Sequence, residues 1–347
     1  MTMSLIRTVI VDDSAFVRKV VREMLSSSPQ ISVVGMARNG EDALKLVEEL
    51  NPDVVTCDLI MPELDGVGFV RKQMARKPLP ILILTASPKD GEQVLEALEA
   101  GAIDFIRKPT AMASEDLRLI REELIEKVKA AAQARSHVLP PRETLIETAL
   151  PRLARAPTRV DIVVLGISTG GPQALRYLLP QFAPDFPVPL VMVLHMPVGY
   201  TAIFAEKLAE LSVLPVKEAF EGCPVQAGEA LLAPAGRHLS FRRTPTGQVV
   251  VQLSLQPADK PHRPSVDVLF QSAAEVYRNR VLGVVMTGMG NDGKQGAAWI
   301  KAQGGMVLTE SEESCIIYGM PRSVVEAGLS DGAASLPSMA KEINKRL

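Results

Sequence analysis

The apolar runs of this chain are short, and most end at a reactive or flexible residue. That punctuation limits the possible folds more than any other feature. Thr8-Val9-Ile10-Val11 runs into Asp12-Asp13, Asp53-Val54-Val55-Thr56-Cys57 into Asp58, Leu79 to Leu84 into Thr85, and Ile103-Asp104-Phe105-Ile106 into Arg107-Lys108. Further on, Val160 to Leu165 leads to Gly166-Ile167-Ser168-Thr169-Gly170-Gly171, Val188 to Leu194 to His195, and Val281 to Met286 to Thr287-Gly288-Met289-Gly290-Asn291-Asp292-Gly293. Such runs read as strands of a buried parallel sheet. Helix-like segments lie between them: Val17, Val20, Val21, Met24 and Leu25 recur at helical spacing, as do Ala43, Leu44, Val47 and Leu50. The expectation is α/β, with two doubly wound parallel-sheet domains. A chain of 347 residues is longer than one core usually supports.

The division is expected at residues 1–135, 136–158 and 159–347. Pro140, Pro141, Pro151 and Pro157 break any continuous helix in the middle segment, which is also basic through Arg142, Arg152 and Arg155. Leu145, Ile146, Ala149 and Leu150 share one helical face there, so a short docked helix and a free linker are both open. A helix is expected from about Ser114 to Arg135. In the second half, helices are expected at Gln173 to Leu179, Ala202 to Leu211, Val266 to Tyr277 and Lys294 to Gln303. A β-hairpin is expected from His238 to Leu255, with Pro245-Thr246-Gly247 at its tip.

Composition excludes several classes. A formal net charge of -2 makes no electrostatic case for wrapping nucleic acid. No apolar run approaches the ~20 residues that would span a bilayer, so direct membrane insertion is not expected. Cys57, Cys223 and Cys315 are scattered without metal-binding spacing, which fits a reducing cytoplasm.

In an open parallel sheet, ligands bind beyond the carboxyl ends of the strands. Asp12, Asp13, Asp58, Thr85 and Lys108 all fall there. Three converging carboxylates repel one another unless a cation neutralises them, and an all-oxygen set suits Mg²⁺. With Thr and Lys to receive phosphoryl oxygens, such a site suits an aspartyl-phosphate. Taken singly, each acidic residue could as well be a cap or a turn residue. The set, followed by Leu59-Ile60-Met61-Pro62, Asp65-Gly66, Thr85-Ala86 and Lys108-Pro109, resembles a response-regulator receiver domain, whose fold is flavodoxin-like. The resemblance implies that Asp58 takes a phosphoryl group from a histidine kinase, with Mg²⁺ held by Asp12, Asp13 and Asp58. It also implies that Thr85 is the switch hydroxyl and Lys108 the phosphate-contacting cation. The Lys108-Pro109 peptide is a candidate for the cis form.

The stretch Gly166 to Gly171 is ambiguous alone. It fits a nucleophile elbow, a phosphate cradle, or a tight turn without chemistry. Ser168, His195 and Asp292 each follow a different strand. A serine hydroxyl needs a base, imidazole serves near neutral pH, and a carboxylate on the other ring nitrogen orients it. Against this, a lone histidine at a strand end is often structural, as His238 and His262 are expected to be, and Asn291-Asp292-Gly293 is also a turn signal. The stretches Gly166 to Gly171, His195-Met196-Pro197, Arg263-Pro264-Ser265-Val266-Asp267, Gly288 to Gly293 and Tyr318-Gly319-Met320-Pro321 together resemble the chemotaxis protein-glutamate methylesterases, the CheB-type enzymes. By that resemblance Ser168 is the nucleophile, His195 the general base and Asp292 its orienting carboxylate. Thr169 and the Met289 N–H become oxyanion stabilisers. Ile167 stands where alanine is usual and Leu194 where glutamine is common. The implied substrates are glutamate methyl esters, and glutamines for deamidation, on chemoreceptor cytoplasmic domains. The implied regulation is a receiver that covers the site until Asp58 is phosphorylated. The rival readings are the same chemistry in another signalling pathway, or a non-catalytic response regulator that binds partners.

Overall fold

The computed structural model describes residues 5–108, 114–133 and 160–347. The first unit runs β1 (Ile6–Val11), α1 (Ala15–Ser26), β2 (Ile31–Ala37), α2 (Gly40–Leu50), β3 (Val54–Asp58), α3 (Gly66–Arg76), β4 (Ile81–Thr85), α4 (Gly91–Glu99), β5 (Asp104–Arg107) and α5 (Ser114–Gln133). Its five strands are parallel in the order β2-β1-β3-β4-β5. The crevice at the switch between β1 and β3 therefore opens beside Asp12 and Asp58. Local chemistry sets the helix starts: Ser14, Asn39 and Asp65 each accept a hydrogen bond from the backbone N–H three residues on. The helices α3 and α4 have no counterpart in the sequence reading. Gly66 and Gly68 dilute the helical pattern of the first, and Pro88-Lys89-Asp90-Gly91 reads as a turn ahead of the second.

The second unit runs β6 (Ile162–Ile167), α6 (Gly171–Leu178), β7 (Leu190–Leu194), α7 (Thr201–Leu211), β8 (Val216–Glu218), β9 (Ala230–Leu232), β10 (His238–Arg243), β11 (Val249–Ser254) and α8 (Val266–Tyr277). It continues with β12 (Val281–Val285), α9 (Lys294–Ala302), β13 (Met306–Glu310), α10 (Met320–Glu326), β14 (Ala333–Ala334) and α11 (Leu336–Asn344). Seven strands form a parallel sheet in the order β14-β13-β12-β6-β7-β9-β8. The strands β10 and β11 form the expected antiparallel hairpin. The run Val188 to Leu194 is strand only from Leu190, because Pro189 has no N–H for the ladder. Its carbonyl still accepts from Val163 N at 3.0 Å. Every residue of β6, β7 and β12 is buried. Truncating one of their leucines, Leu165 for example, would cost about 2–5 kcal/mol.

The two units pack against each other through α4 and β5 of the first and α6 and α7 of the second. Gln173 Nε2 donates to Ala102 O at 2.7 Å, Arg176 pairs with Glu99, and the Phe105 and Tyr200 rings meet with centroids 4.8 Å apart and planes tilted by 56°. The expected helix from Ser114 is present to Gln133. Residues 134–159, with the expected linker helix, and the Lys108-Pro109 peptide lie outside the described residues. No helix among the described residues is long and apolar enough to cross a membrane.

Candidate active site and acidic pocket

The second sheet reverses its winding between β12 and β6, with β7 on the far side of β6. In the β6–β7 register Ile167 sits opposite Leu194, so Ser168 and His195 are the next residues out on adjacent strands. Strands hydrogen-bond about 4.8 Å apart, so this pairing alone brings the two side chains together. Ser168 N donates to Thr287 O at 3.0 Å, tying the turn to the loop after β12. Gly170 holds φ +79°, where a side chain would be strained. The glycines do not open room for a ligand, however. A Cβ on Gly166 would come within 2.2 Å of Val266 Cγ1, and one on Gly170 within 2.7 Å of Ile316 Cδ1. Gly166 admits the start of α8, and it is α8 that holds the third residue.

Asp292 lies against the N-terminus of α8. Its Oδ2 accepts from Val266 N at 2.7 Å, and its Oδ1 from Ser265 Oγ at 2.9 Å, Asp267 N at 3.0 Å and Gly293 N at 3.1 Å. His195 Nε2 meets Oδ2 at 2.8 Å. Burial alone would raise the Asp292 pKa. The hydrogen bond and charge of His195, with the N–H groups of Asp267 and Val266, instead hold it far below the usual carboxylate range. Asp267 braces the same turn, its Oδ1 accepting from Gly293 N and Gly296 N at 2.9 and 2.8 Å. With Nε2 committed to Asp292, His195 Nδ1 is buried without a hydrogen-bond partner. It is the nitrogen left for a serine proton.

Ser168, Thr169, His195 and Met289 line one cavity of about 560 Å³. Thr169 Oγ1 is buried and unpartnered. Thr287 supports the floor, donating through Oγ1 to Thr169 O at 3.1 Å, while its N–H donates to buried Glu310 at 2.9 Å. Ile167 and Leu194, the two departures from the family pattern, are fully buried in the core and do not line the cavity. His238 is the structural histidine expected, with Nε2 donating to Pro257 O at 3.0 Å. His262 is not: its ring stacks on His195, centroids 4.1 Å apart. Sequence reading misses Ser265, Asp267 and His262 as site residues, although Arg263 to Asp267 signals that the segment matters.

At the end of the first sheet, Asp12, Asp13 and Asp58 each offer a carboxylate oxygen within 4.8 Å of the others. Lys108 Nζ lies 2.9 Å from Asp12 Oδ2 and 2.7 Å from Asp58 Oδ2. Asp12 is fully buried, and the Lys108 ammonium faces its Oδ2. Burial pushes Asp58 up to about 6, against the opposing pull of Lys108. One ammonium cannot neutralise three carboxylates, so the donor set fits a divalent cation bound through oxygen. Thr85 turns away from the carboxylates: its hydroxyl lies 3.1 Å from Tyr200 Oη of the second unit and 3.2 Å from Asp90 Oδ2. Arg107, Lys108, Ile120, Glu123 and Lys127 of the first unit form the opposite wall of the cavity that holds Ser168.

Two family models match the chain: "CheB methylesterase" over residues 163–343 and "Response regulator receiver domain" over residues 8–119. A Myxococcus xanthus protein named protein-glutamate methylesterase/protein-glutamine glutaminase 5 is 46% identical over 339 residues, 97% of each chain. A protein of the same enzyme name from Halalkalibacterium halodurans is 42% identical over 98% of each chain. The crystal structure of the Thermotoga maritima CheB methylesterase catalytic domain matches with TM-score 0.53 and 38% identity, covering 54% of this chain and 99% of that one.

Proposed function

This chain belongs to the CheB methylesterase family and carries a response-regulator receiver domain, and from that premise we propose that it is a phosphorylation-gated protein-glutamate methylesterase and protein-glutamine glutaminase. The proposal divides the chain into a receiver at 1–135, a connection at 136–158 and a hydrolase at 159–347. In the hydrolase, His195 Nδ1 takes the Ser168 proton and Oγ attacks the γ-carbonyl carbon of a glutamyl methyl ester. The Met289 N–H and Thr169 receive the oxyanion; such donors are worth about 2.7–4 kcal/mol each. The intermediate expels methanol with the proton from His195, leaving a Ser168 acyl ester. Water, deprotonated by the same nitrogen, releases the glutamate. With a glutamine side chain the first leaving group is ammonia. Asp292, kept charged by its hydrogen bonds, stabilises the imidazolium in both halves.

The observation that carries this reading is the 2.8 Å bond from His195 Nε2 to Asp292, with Nδ1 left bare and Ser168 lining the same cavity from the adjacent strand end. Its test is methanol release from a methyl-esterified chemoreceptor cytoplasmic domain. Ser168→Ala should lower the rate by about 10⁴-fold or more. Retained activity in that variant would sink the assignment.

For the receiver, Asp58 accepts a phosphoryl group from the phosphohistidine of a histidine kinase, forming an O–P bond as the N–P bond breaks. Asp12, Asp13 and Asp58 would hold Mg²⁺, which when bound offsets their charge and that of the incoming phosphoryl group. Lys108 receives a phosphoryl oxygen, and Thr85 is drawn toward the new charge. The Thr85–Tyr200 contact then opens and the receiver releases the cavity wall. Lys108 touches both the acidic pocket and the cavity of Ser168, which supports this coupling. The substrates are chemoreceptors, and buried unpaired Cys57, Cys223 and Cys315 suit a reducing cytoplasm.

A further inference from the structure

A second imidazole lies on the hydrolase base, and no step of the hydrolysis above uses it. His262 and His195 stack with centroids 4.1 Å apart and planes 20° from parallel. Among the described residues neither nitrogen of His262 makes a hydrogen bond, and its outer face is exposed. Its placement comes from the chain that follows. Arg263 O accepts from Gly236 N at 2.8 Å, and Ser265, Val266 and Asp267 bind Asp292. The segment 262–267 thus grips both members of the pair, ring on ring at His195 and N–H on carboxylate at Asp292.

His195 needs that second grip. Among the described residues its ring has one hydrogen bond, from Nε2, and Nδ1 has none. A histidine χ2 torsion is broad, so a ring held at one edge can rock about that edge. A flat partner on its face removes the rocking. Loss of water on the stacked face and the neighbouring His195 both disfavour charge on His262, with Lys127 of α5 acting in the same direction and Asp292 against it. An uncharged ring can lie on His195 both before and after the base takes a proton, and its π face favours the cation.

We infer that His262 is a positioning residue: its ring, flat on His195, holds the plane in which Nδ1 meets the Ser168 hydroxyl. The inference rests on the Ser168–His195–Asp292 reading and deepens it. The test uses the full chain with His262→Leu, which fills similar space without a flat face, and His262→Phe, which keeps the flat face. Two readouts are taken: kcat and KM for methyl ester hydrolysis, and the rate at which a fluorophosphonate labels Ser168. Labelling forms an O–P bond at Oγ and releases fluoride as His195 takes the proton, so it reports the base without a methyl ester. His262→Leu should lower kcat and the labelling rate about 10-fold or more, with KM unchanged. His262→Phe should restore most of both. Wild-type kcat in His262→Leu overturns the inference, as does equal impairment in His262→Phe or a loss confined to KM. Ser168→Ala in the same assays separates this failure from failure of the parent reading, because only the latter leaves Ser168→Ala active.

Discussion

The acidic pocket of the receiver and the Asp292 cradle of the hydrolase occupy equivalent places, each beyond the strand ends where a parallel sheet reverses its winding. Their electrostatics are opposite. In the receiver three carboxylates face one lysine, which Asp12 and Asp58 share, and burial pushes Asp58 up to about 6. In the hydrolase a single carboxylate meets three backbone N–H groups, a serine hydroxyl and an imidazole. An unbalanced pocket has much to gain from a cation and is poised to change charge. A saturated one is preorganised to keep its charge constant. On the proposed reading, the same architecture serves a switch at one end of the chain and a fixed catalytic apparatus at the other.

The comparison breaks most visibly at Asp292. Asp292→Asn removes the fixed charge and places a donor among donors, so kcat should fall by about 10⁴-fold, read as methanol release. If the loss were only a few-fold, saturation of this carboxylate would not matter to the chemistry. The contrary manipulation is to deprive the receiver of divalent cation with a chelator. Phosphorylation of Asp58, followed by intact-protein mass, should cease, and with it all activation, while the unphosphorylated rate is unchanged. Every 1.4 kcal/mol by which phosphorylation favours the open state corresponds to about tenfold in activity.

A smaller effect is expected where the two units meet. Tyr200→Phe deletes the hydrogen bonds to Thr85 and to Ser87 O, the latter 2.9 Å long, at about 1 kcal/mol each. The unphosphorylated full chain should become faster, by up to about thirtyfold, and the phosphorylated chain should be unaltered. A rise in both states would place Tyr200 in the hydrolase rather than in its cover. The smallest change is one of stability, at buried Glu310. Burial pushes its pKa up to about 7, against the hydrogen bonds from Thr287 N and Ser314. Because the folded-state pKa lies above the unfolded one, its contribution is complete below about pH 4 and is lost as pH rises to about 7. Glu310→Gln should therefore flatten the fall in unfolding free energy, read by denaturant titration, over that window, by a few kcal/mol at most.

Much of this was legible in the residues. Short apolar runs without alternation, bounded by turn residues, read as strands covered on both faces, and the residue that ends each run then sits at a carboxyl end of the sheet. Asp12, Asp58, Ser168 and His195 follow from that rule, since strand register puts neighbours together without help from distant parts of the chain. Helices whose apolar pattern glycine interrupts, such as α3, were not legible, because propensity there yields to packing.

What the sequence determined by itself was the α/β alternation and the chemical groups at the strand ends, because these depend on local periodicity and on residue type. Tertiary structure alone decided which groups would share a site. Asp292 reaches His195 across β6, α8 turns its N-terminus on Asp292, His262 settles on His195, and Tyr200 of one unit meets Thr85 of the other. Each of these contacts joins segments far apart in the chain, and none has a periodic or compositional mark. They form where packing of the two sheets brings the loops together, and there the buried polar groups must find their partners.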